Sequence, residues 1–364
     1  MRHDLRPPRS AEGPNFTGAA SQTLVPLQLG RMALAMCLAL AGAASLRAEI
    51  KIEAVKGQDN FNLEYAAVTD FSGITWVKDN LFYFVGNRVK AFIPLRIDLD
   101  PESGRILGAK VGEHVNVKTP LEDFEGIAWL PEKKRFYIST ERPPGIVGYD
   151  ERGDATFVVD VPKIFANARF NKGFEALAYG NGALWTCNED ALTVDGDPSS
   201  AGVGAWVRLQ RFNKKFRPSR QVGYRTDGSL LRVGGGGTGV PDLAVLPDGS
   251  LLSLERVVSL GLQAKIFHVE WKDATDTSDL RSLKDADFTP AKKHLLYDRA
   301  TALTNYEGIA LGPELVGGWR SLILVSDSAH GTKHFLMPLR IHLGEKIDEE
   351  KKDAPKKPEA ADAK

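Results

Sequence analysis

Acidic residues recur inside a short repeated motif of this chain. Their carboxylates can bind divalent cations or exchange protons. The repeat is an aromatic residue or Val, usually followed by an acid, leading into a short apolar strand. Its five copies are Phe71–Ile74, Phe124–Ile127, Phe174–Leu177, Val240–Leu243 and Tyr306–Ile309. The acids of the last four copies are Glu125, Glu175, Asp242 and Glu307. We expect these four carboxylates to lie close together in the folded chain.

Clustered carboxylates need compensation to stay ionised. Two negative charges about 5 Å apart repel by roughly 3 kcal/mol at an effective dielectric constant near 20. A bound cation, paired Lys or Arg side chains, or protonation with a raised pKa relieves that repulsion. Oxygen ligands without a His or Cys cluster favour Ca²⁺ or Mg²⁺ over Zn²⁺. We therefore predict a divalent cation, Ca²⁺ first, with the ligands Glu125, Glu175, Asp242 and Glu307.

A second set of polar residues follows the next apolar run in each copy. Aligning the copies places these residues at equivalent positions: Asn87, Glu141, Glu189, Glu255 and Asp327. In an antiparallel hairpin, the start of the first strand and the end of the second lie at the same edge. Both sets are therefore predicted on one face. We expect Glu141, Glu255 and Asp327 to act in acid–base catalysis there.

Basic residues occur beside these acids and are predicted to hold an anionic substrate: Arg142, Lys172 and Arg256. Two other interpretations stay open. The carboxylates can accept hydrogen bonds from the backbone of the neighbouring repeat and serve only as scaffold. Alternatively, Arg142 and Arg256 can neutralise Glu141 and Glu255 as salt bridges.

The elements that must position these side chains are short strands. Successive copies begin 53, 50, 66 and 66 residues apart, which is in the range of one four-stranded propeller blade. Pro247-Asp248-Gly249 separates two apolar runs and is a strong hairpin signal. The fold class is therefore predicted as all-β, a single β-propeller of five or six four-stranded blades. The segment 50–55 is predicted to close the last blade, and residues 191–204 and 272–290 contain either long loops or a sixth blade.

Composition limits the function classes. The chain has 364 residues, of which 43% are hydrophobic, and a formal net charge of zero, so no nucleic-acid partner is expected. We expect a small-molecule partner, a (phospho)ester substrate, and a monomeric protein. Cys187 would be the one cysteine of the mature chain, since the other, Cys37, lies in the leader. On its predicted strand, Cys187 is interpreted as a buried apolar residue rather than a nucleophile.

The two ends of the chain are predicted to lie outside the propeller. Residues 1–48 form a leader whose apolar run, Met32–Ala44, is too short to span a bilayer and suits a cleaved signal peptide. A periplasmic or secreted location follows, with no membrane span in the mature chain. The propeller domain is predicted over residues 49–343. The charged segment 344–364 is predicted to be disordered.

The motifs also support a family resemblance. The stretches that carry it are residues 124–131, 171–178, 241–249, 254–256 and 306–312. Together they resemble the bacterial phytase-like propellers named for the "esterase-like activity of phytase", over roughly residues 66–342. The resemblance implies an exported propeller that hydrolyses phosphoesters or esters. The Asp-Asp-Pro-Ala signature of the calcium-dependent propeller phytases does not occur in this sequence.

The leading expectation is a metal-dependent phosphoester hydrolase with its site at an acidic tunnel mouth. A Glu-Gly step also resembles the start of the metal site in gluconolactonase-type propellers, which implies sugar-lactone or carboxyl-ester hydrolysis as an alternative. The remaining alternative is a propeller that binds a ligand or partner without catalysis.

Overall fold

The structure is a computed structural model that describes residues 49–65, 67–68, 70–229, 237–327 and 333–344. The predicted signal peptide and nearly all of the predicted C-terminal tail lie outside these residues. None of the helices in the described part of the chain has the length and apolar character needed to cross a membrane.

The described residues form five antiparallel sheets, each with four strands in its main path. The N-terminal strands are β1 (Lys51–Ala54) and β2 (Phe61–Glu64). Blade 1 contains β3 (Phe71–Lys78), β4 (Leu81–Gly86), β5 (Val89–Leu99), β6 (Ile106–Val111) and the short β7 (Val115–Asn116). Blade 2 contains β8 (Phe124–Leu130), β9 (Arg135–Thr140), β10 (Gly145–Asp150) and β11 (Ala155–Val158).

The remaining blades follow in chain order. Blade 3 contains β12 (Phe174–Gly180), β13 (Ala183–Asn188), β14 (Trp206–Phe212) and β15 (Pro218–Arg225). Blade 4 contains β16 (Thr238–Val245), β17 (Leu251–Val258), β18 (Leu262–Glu270) and β19 (Lys292–Ala302). Blade 5 contains β20 (Asn305–Glu314), β21 (Trp319–Asp327) and β22 (Lys333–His342). Two short 3₁₀ helices span Lys163–Asn167 and Val316–Gly318.

The N-terminal strand closes the last blade, as predicted. β1 pairs with β22, from Lys51 opposite His342 to Ala54 opposite Leu339. β2 pairs with the other end of β22. Closure in this way satisfies backbone groups that an open edge would leave unpaired.

Five apolar clusters fill the spaces between blades, one for each pair of neighbours around the ring. The cluster between blades 3 and 4, for example, packs Trp185 and Val207 against Val240 and Leu251. The innermost strands also contact one another around a closed ring. The propeller therefore has five blades. The predicted propeller fold is confirmed.

The two long intervals are loops rather than a sixth blade. They connect β13 to β14 and β18 to β19, and one buried side chain, Arg208, ties both to blade 3. Its guanidinium forms two hydrogen bonds, of 2.6 and 2.7 Å, with the Asp195 carboxylate in the first loop. It also donates to the carbonyl oxygens of Thr277 and Leu280 in the second loop. This bidentate pair is an efficient clamp because both charges are satisfied where they are buried.

Innermost strands of neighbouring blades come very close together at the third residue of three of the repeats, where that residue is Gly. A Cβ atom built on Gly73 would lie 2.5 Å from the Glu125 carbonyl oxygen, and one on Gly126 would lie 2.6 Å from that of Glu175. A Cβ on Gly308 would lie 2.5 Å from the Ser72 carbonyl oxygen. Each contact joins a blade to the next, so small residues here allow the ring to close.

We predict that Gly126→Ala destabilises the protein by about 1–3 kcal/mol, because the added methyl group meets backbone atoms that cannot rotate away. Gly108→Ala on β6 is the matched control, since its Cβ would meet only the Asp98 carboxylate at 3.8 Å. Denaturant unfolding of both variants measures the difference. Equal stabilities would contradict the tight approach at the axis.

Candidate functional site

The repeat is built around a strand irregularity. In every blade, the pairing register between the first and second strands shifts within the repeat, for example between Phe124 and Ile127. Bulges of this kind re-aim side chains and are common at functional sites. Here the shift affects the second residue of each copy, a set that forms an inner ring around the axis: Ser72, Glu125, Glu175, Pro241 and Glu307.

The ends of the second strands form an outer ring on the same face. Pairing of Phe71 with Gly86, Phe124 with Thr140, and Phe174 with Asn188 defines equivalent positions. The residues that come next in the chain are Asn87, Glu141, Glu189, Arg256 and Asp327. The prediction of two rings on one face is therefore correct in topology.

In blade 4, the residues predicted for the two rings, Asp242 and Glu255, are each one position away from the residues that occupy them. Gly239 pairs with Arg256, so Arg256 occupies the position equivalent to Glu141 and Glu189, and Glu255 does not. In the first strand, Pro241 takes the position of the acids, and Asp242 takes that of the small residue. Blade 4 has an acid one residue away from each ring position, so the sequence alone does not show which residue occupies the ring.

The two rings enclose a cavity of about 250 Å³. Its lining is polar throughout: Ser72, Asn87, Glu125, Asn171, Lys172, Glu175, Arg256, Asn305, Glu307 and Asp327. Three of the predicted ligands, one predicted catalytic residue (Asp327) and two predicted anion-binding residues therefore line one space. Sequence reasoning did not single out Asn171, in the turn before β12, or Asn305, the first residue of β20, because the residues that meet at the axis depend on the closed ring.

Three buried carboxylates converge beside this cavity: Glu125 and Glu175 line it, and Glu141 lies next to them without lining it. Oxygen atoms of Glu125, Glu141 and Glu175 lie within 4.8 Å of one another. Burial raises the pKa of Glu125 and Glu175 well above the ordinary value, and neighbouring carboxylates raise it further. Burial and the charge of Glu189 also raise the pKa of Glu141. The group therefore favours protonation or a bound cation over three bare charges.

Hydrogen bonds satisfy part of this group: Glu141 interacts with the Glu175 carboxyl and the Gly173 backbone, and Glu175 also interacts with Glu189. Ser72 Oγ donates to Glu125 Oε2 at 2.8 Å. Glu141 is only 3% exposed, and its Oε1 has no hydrogen-bond partner among the described residues. A buried acceptor without a partner is costly, so a ligand is expected near Glu141.

The cations of the cavity pair with a different set of acids. Lys172 Nζ and Arg256 Nη2 both donate to the buried carboxylate of Glu189. Arg256 Nη1 also donates to Glu307, which accepts a further hydrogen bond from Asn305. Although burial opposes it, the charges of Arg256 and Lys172 lower the pKa of Glu189 below its ordinary value. This chain of opposite charges crosses blades 3, 4 and 5.

Asp242 binds backbone groups of three blades. Its Oδ1 accepts the N–H groups of Leu177 at 3.3 Å and Leu243 at 2.9 Å, and its Oδ2 accepts that of Ile309 at 2.9 Å. Burial raises the pKa of Asp242, and these three donors oppose the rise. Asp242 is absent from the group formed by Glu125, Glu141 and Glu175. The observed contacts are those of the scaffold alternative.

Glu255 and Arg142 also have partners outside the cavity. Glu255 accepts hydrogen bonds from the Tyr224 hydroxyl at 2.5 Å, the Asp227 N–H at 2.9 Å and Lys293 Nζ at 2.7 Å. Successive side chains of a strand point to opposite faces, so Arg256 faces the cavity while Glu255 faces the space between blades 3 and 4. Arg142 forms a salt bridge with Asp123, with Nε 2.6 Å from Oδ2.

Cys187 is fully buried on β13, as predicted. Burial raises the pKa of its thiol well above the ordinary value. The thiolate is the nucleophilic form of cysteine, so this residue is unsuited to nucleophilic catalysis.

We predict that Asp242→Asn lowers stability by about 1–3 kcal/mol, because its amide NH₂ cannot accept the hydrogen bond now made by Oδ2. Thermal or denaturant unfolding measures this loss, with the exposed Asp273→Asn as control. A stable Asp242→Asn variant that no longer responds to cations would instead identify Asp242 as a ligand.

Comparison with known proteins identifies a family for this chain. No curated protein matches the sequence. Solved structures that match include Kuenenia stuttgartiensis hydrazine synthase, at 11% identity over 75% of this chain and 60% of that one, with a TM-score of 0.35. A luciferin-regenerating enzyme matches at 14% identity over 81% of this chain and 95% of that one, with a TM-score of 0.35. The WD40 propeller domain of Doa1 matches at 10% identity over 79% of this chain and 96% of that one, with a TM-score of 0.37.

A family model matches most of the chain. The family described as "Phytase-like: Esterase-like activity of phytase" matches residues 66–328. That range runs from the segment before β3 into the last blade and includes all five copies of the repeat. The chain therefore belongs to the phytase-like family of propellers.

Proposed function

We propose that this protein is an exported phosphoester hydrolase that uses a divalent cation at Glu125, Glu141 and Glu175. The observation that carries the proposal is the convergence of these three buried carboxylates within 4.8 Å. No Lys or Arg of the described residues forms a salt bridge with any of the three, although two cationic side chains line the same cavity.

The donor set fits a hard cation. Carboxylate oxygens are the preferred ligands of Ca²⁺ and Mg²⁺. The partnerless Oε1 of Glu141 supplies a second observation, since a buried acceptor in this position requires a cation or a donor. This proposal replaces the ligand set predicted from the sequence: Glu141 is included, and Asp242 and Glu307 serve the scaffold and the salt-bridge chain.

Charge balance supports a cation-dependent reaction on an anion. The two rings contain six carboxylates, those of Glu125, Glu141, Glu175, Glu189, Glu307 and Asp327, together with the basic residue Arg256. Lys172 adds one more positive charge at the cavity. The carboxylates that are ionised repel a phosphate group entering this space unless additional positive charge accompanies it. The bound cation would provide that charge and polarise the phosphoryl group.

Other side chains of the cavity can supply the general base and bind the phosphoryl oxygens. Hydrolysis adds water to phosphorus, breaks the bond to the alcohol oxygen and returns a proton to that oxygen. Asp327 lines the cavity from the end of β21 and is the candidate general base for the water. Arg256 and Lys172, held by Glu189, present donors toward the phosphoryl oxygens.

A second candidate function is hydrolysis of an uncharged sugar lactone or carboxyl ester. The observation that favours it is the uncharged part of the lining: Ser72, Asn87, Asn171 and Asn305. Hydroxyl and amide groups bind polyhydroxy substrates without a charge penalty. The same cation would polarise the carbonyl group in this reaction.

We expect added Ca²⁺, Mg²⁺ or Mn²⁺ to raise the melting temperature of chelator-treated protein. A ligand that binds only the folded state stabilises it by about 2.7 kcal/mol at 100 times its Kd. Differential scanning calorimetry across a cation series measures the shift. Glu125→Gln and Glu141→Gln should abolish it, and Glu255→Gln, which removes a buried carboxylate elsewhere, should retain it. A cation response unchanged in the first two variants would contradict the assigned site.

We expect Asp327→Asn to lower kcat by about 100-fold or more while the cation-induced shift persists, because a general base contributes roughly 10²- to 10⁴-fold. Initial rates on a phosphomonoester, phytate and a sugar lactone, each with cation and with chelator, measure the effect. Cation-dependent turnover of the lactone alone would favour the second function. Cation binding without turnover of any substrate would favour a ligand-binding propeller.

A further inference from the structure

We propose that Phe170 is a stacking platform for the alcohol portion of the substrate, so that the preferred substrate is a phosphomonoester of an aromatic alcohol rather than a polyphosphorylated one. This inference rests on the proposed phosphoester hydrolysis and names its substrate class. It comes from three observations: the place of Phe170 in the chain next to residues that line the cavity, the contact of Arg142 with its ring, and the charge of the cavity itself.

Phe170 is the residue directly before two that line the cavity, Asn171 and Lys172. The Lys172 N–H donates to the Arg169 carbonyl oxygen at 3.1 Å, which closes a tight turn with Phe170 at its tip. The side chain is 83% exposed. Phe170 does not itself line the cavity, but this turn places its exposed ring next to residues that do, within reach of the outward-pointing part of a substrate bound there.

The ring of Phe170 is held in place. The Arg142 guanidinium carbon lies 5.1 Å from the ring centroid, and Asp123 holds that guanidinium by a salt bridge. Arg142 covers one face of the ring, and the high exposure leaves the other face available. Isolated exposed apolar residues are common and carry no meaning alone. An exposed ring that contacts a salt-bridged Arg, in a turn next to residues that line the cavity, is preorganised for stacking.

The carboxylates of the cavity disfavour binding of a highly phosphorylated substrate. Glu189 and Glu307 balance the charges of Lys172 and Arg256, which leaves these two side chains donors for one phosphoryl group and no surplus positive charge. One bound cation can compensate for one phosphoryl group, but each additional phosphate near the rings meets further carboxylates. An apolar ring stacked on Phe170 avoids that repulsion and gains dispersion and quadrupole interactions. Arg142 is then a positioning residue that acts through Phe170.

The test compares two non-hydrolysable probes, phenylphosphonate and methylphosphonate, by isothermal titration calorimetry on Ca²⁺-loaded full-length protein. Aromatic pairing contributes about 0.5–1.5 kcal/mol, so phenylphosphonate should bind about two- to tenfold more tightly. Phe170→Ala should abolish this preference, and Phe170→Tyr should keep it. Arg142→Gln should reduce it. Phe157→Ala, which removes a partly exposed ring on β11, should leave it unchanged.

The outcomes separate the platform from the function on which it rests. Equal affinities for the two phosphonates, or a preference that survives in Phe170→Ala, would overturn the platform while leaving phosphoester hydrolysis intact. Failure of both phosphonates to bind the cation-loaded protein would overturn the phosphoester site and the platform together.

Discussion

The close approach of the five inner strands around the axis is the constraint on which the rest of this propeller depends. At the third residue of the repeat, Gly73 and Gly126 leave no space for a side chain before the backbone of the next blade. The strand pairing shifts register at the same place. The shift turns the second residue of the repeat into the central opening, so the contacts that close the ring also determine which side chains meet there.

Blade 4 breaks the symmetry of this arrangement. Pro241 replaces the acid of the inner ring, and Asp242 replaces the small residue, with its carboxylate bound to backbone N–H groups of blades 3, 4 and 5. In the outer ring, Arg256 stands where blades 2 and 3 have Glu141 and Glu189. The cavity consequently has carboxylates from blades 2, 3 and 5 and a cationic group from blade 4. Such asymmetry can orient a polar substrate, whereas a symmetric ring of acids could not.

Much of the fold was predictable because the spacing of a sequence repeat indicates the size and number of the structural units. The spacing of the copies, the alternating apolar residues and the Pro247–Gly249 turn together predicted the blades, and β1 closes the ring as expected. The number of blades was left open between five and six. The structure has five sheets in a closed ring, and Arg208 binds the two long loops to blade 3 in place of a sixth blade. The contacts of a single Arg with distant carbonyl groups leave no periodic signal in the sequence.

The sequence by itself determined the fold class, the face on which polar residues gather and the family to which the chain belongs. Only the tertiary structure decided which acids face the cavity. Asp242 and Glu255 are adjacent to the ring positions in the sequence, but one residue along a strand reverses the direction of a side chain. Pairing between strands therefore separates Glu125, Glu141 and Glu175, which converge, from acids that hold the blades together. Local sequence specifies a strand, whereas register and burial specify the environment of each carboxylate.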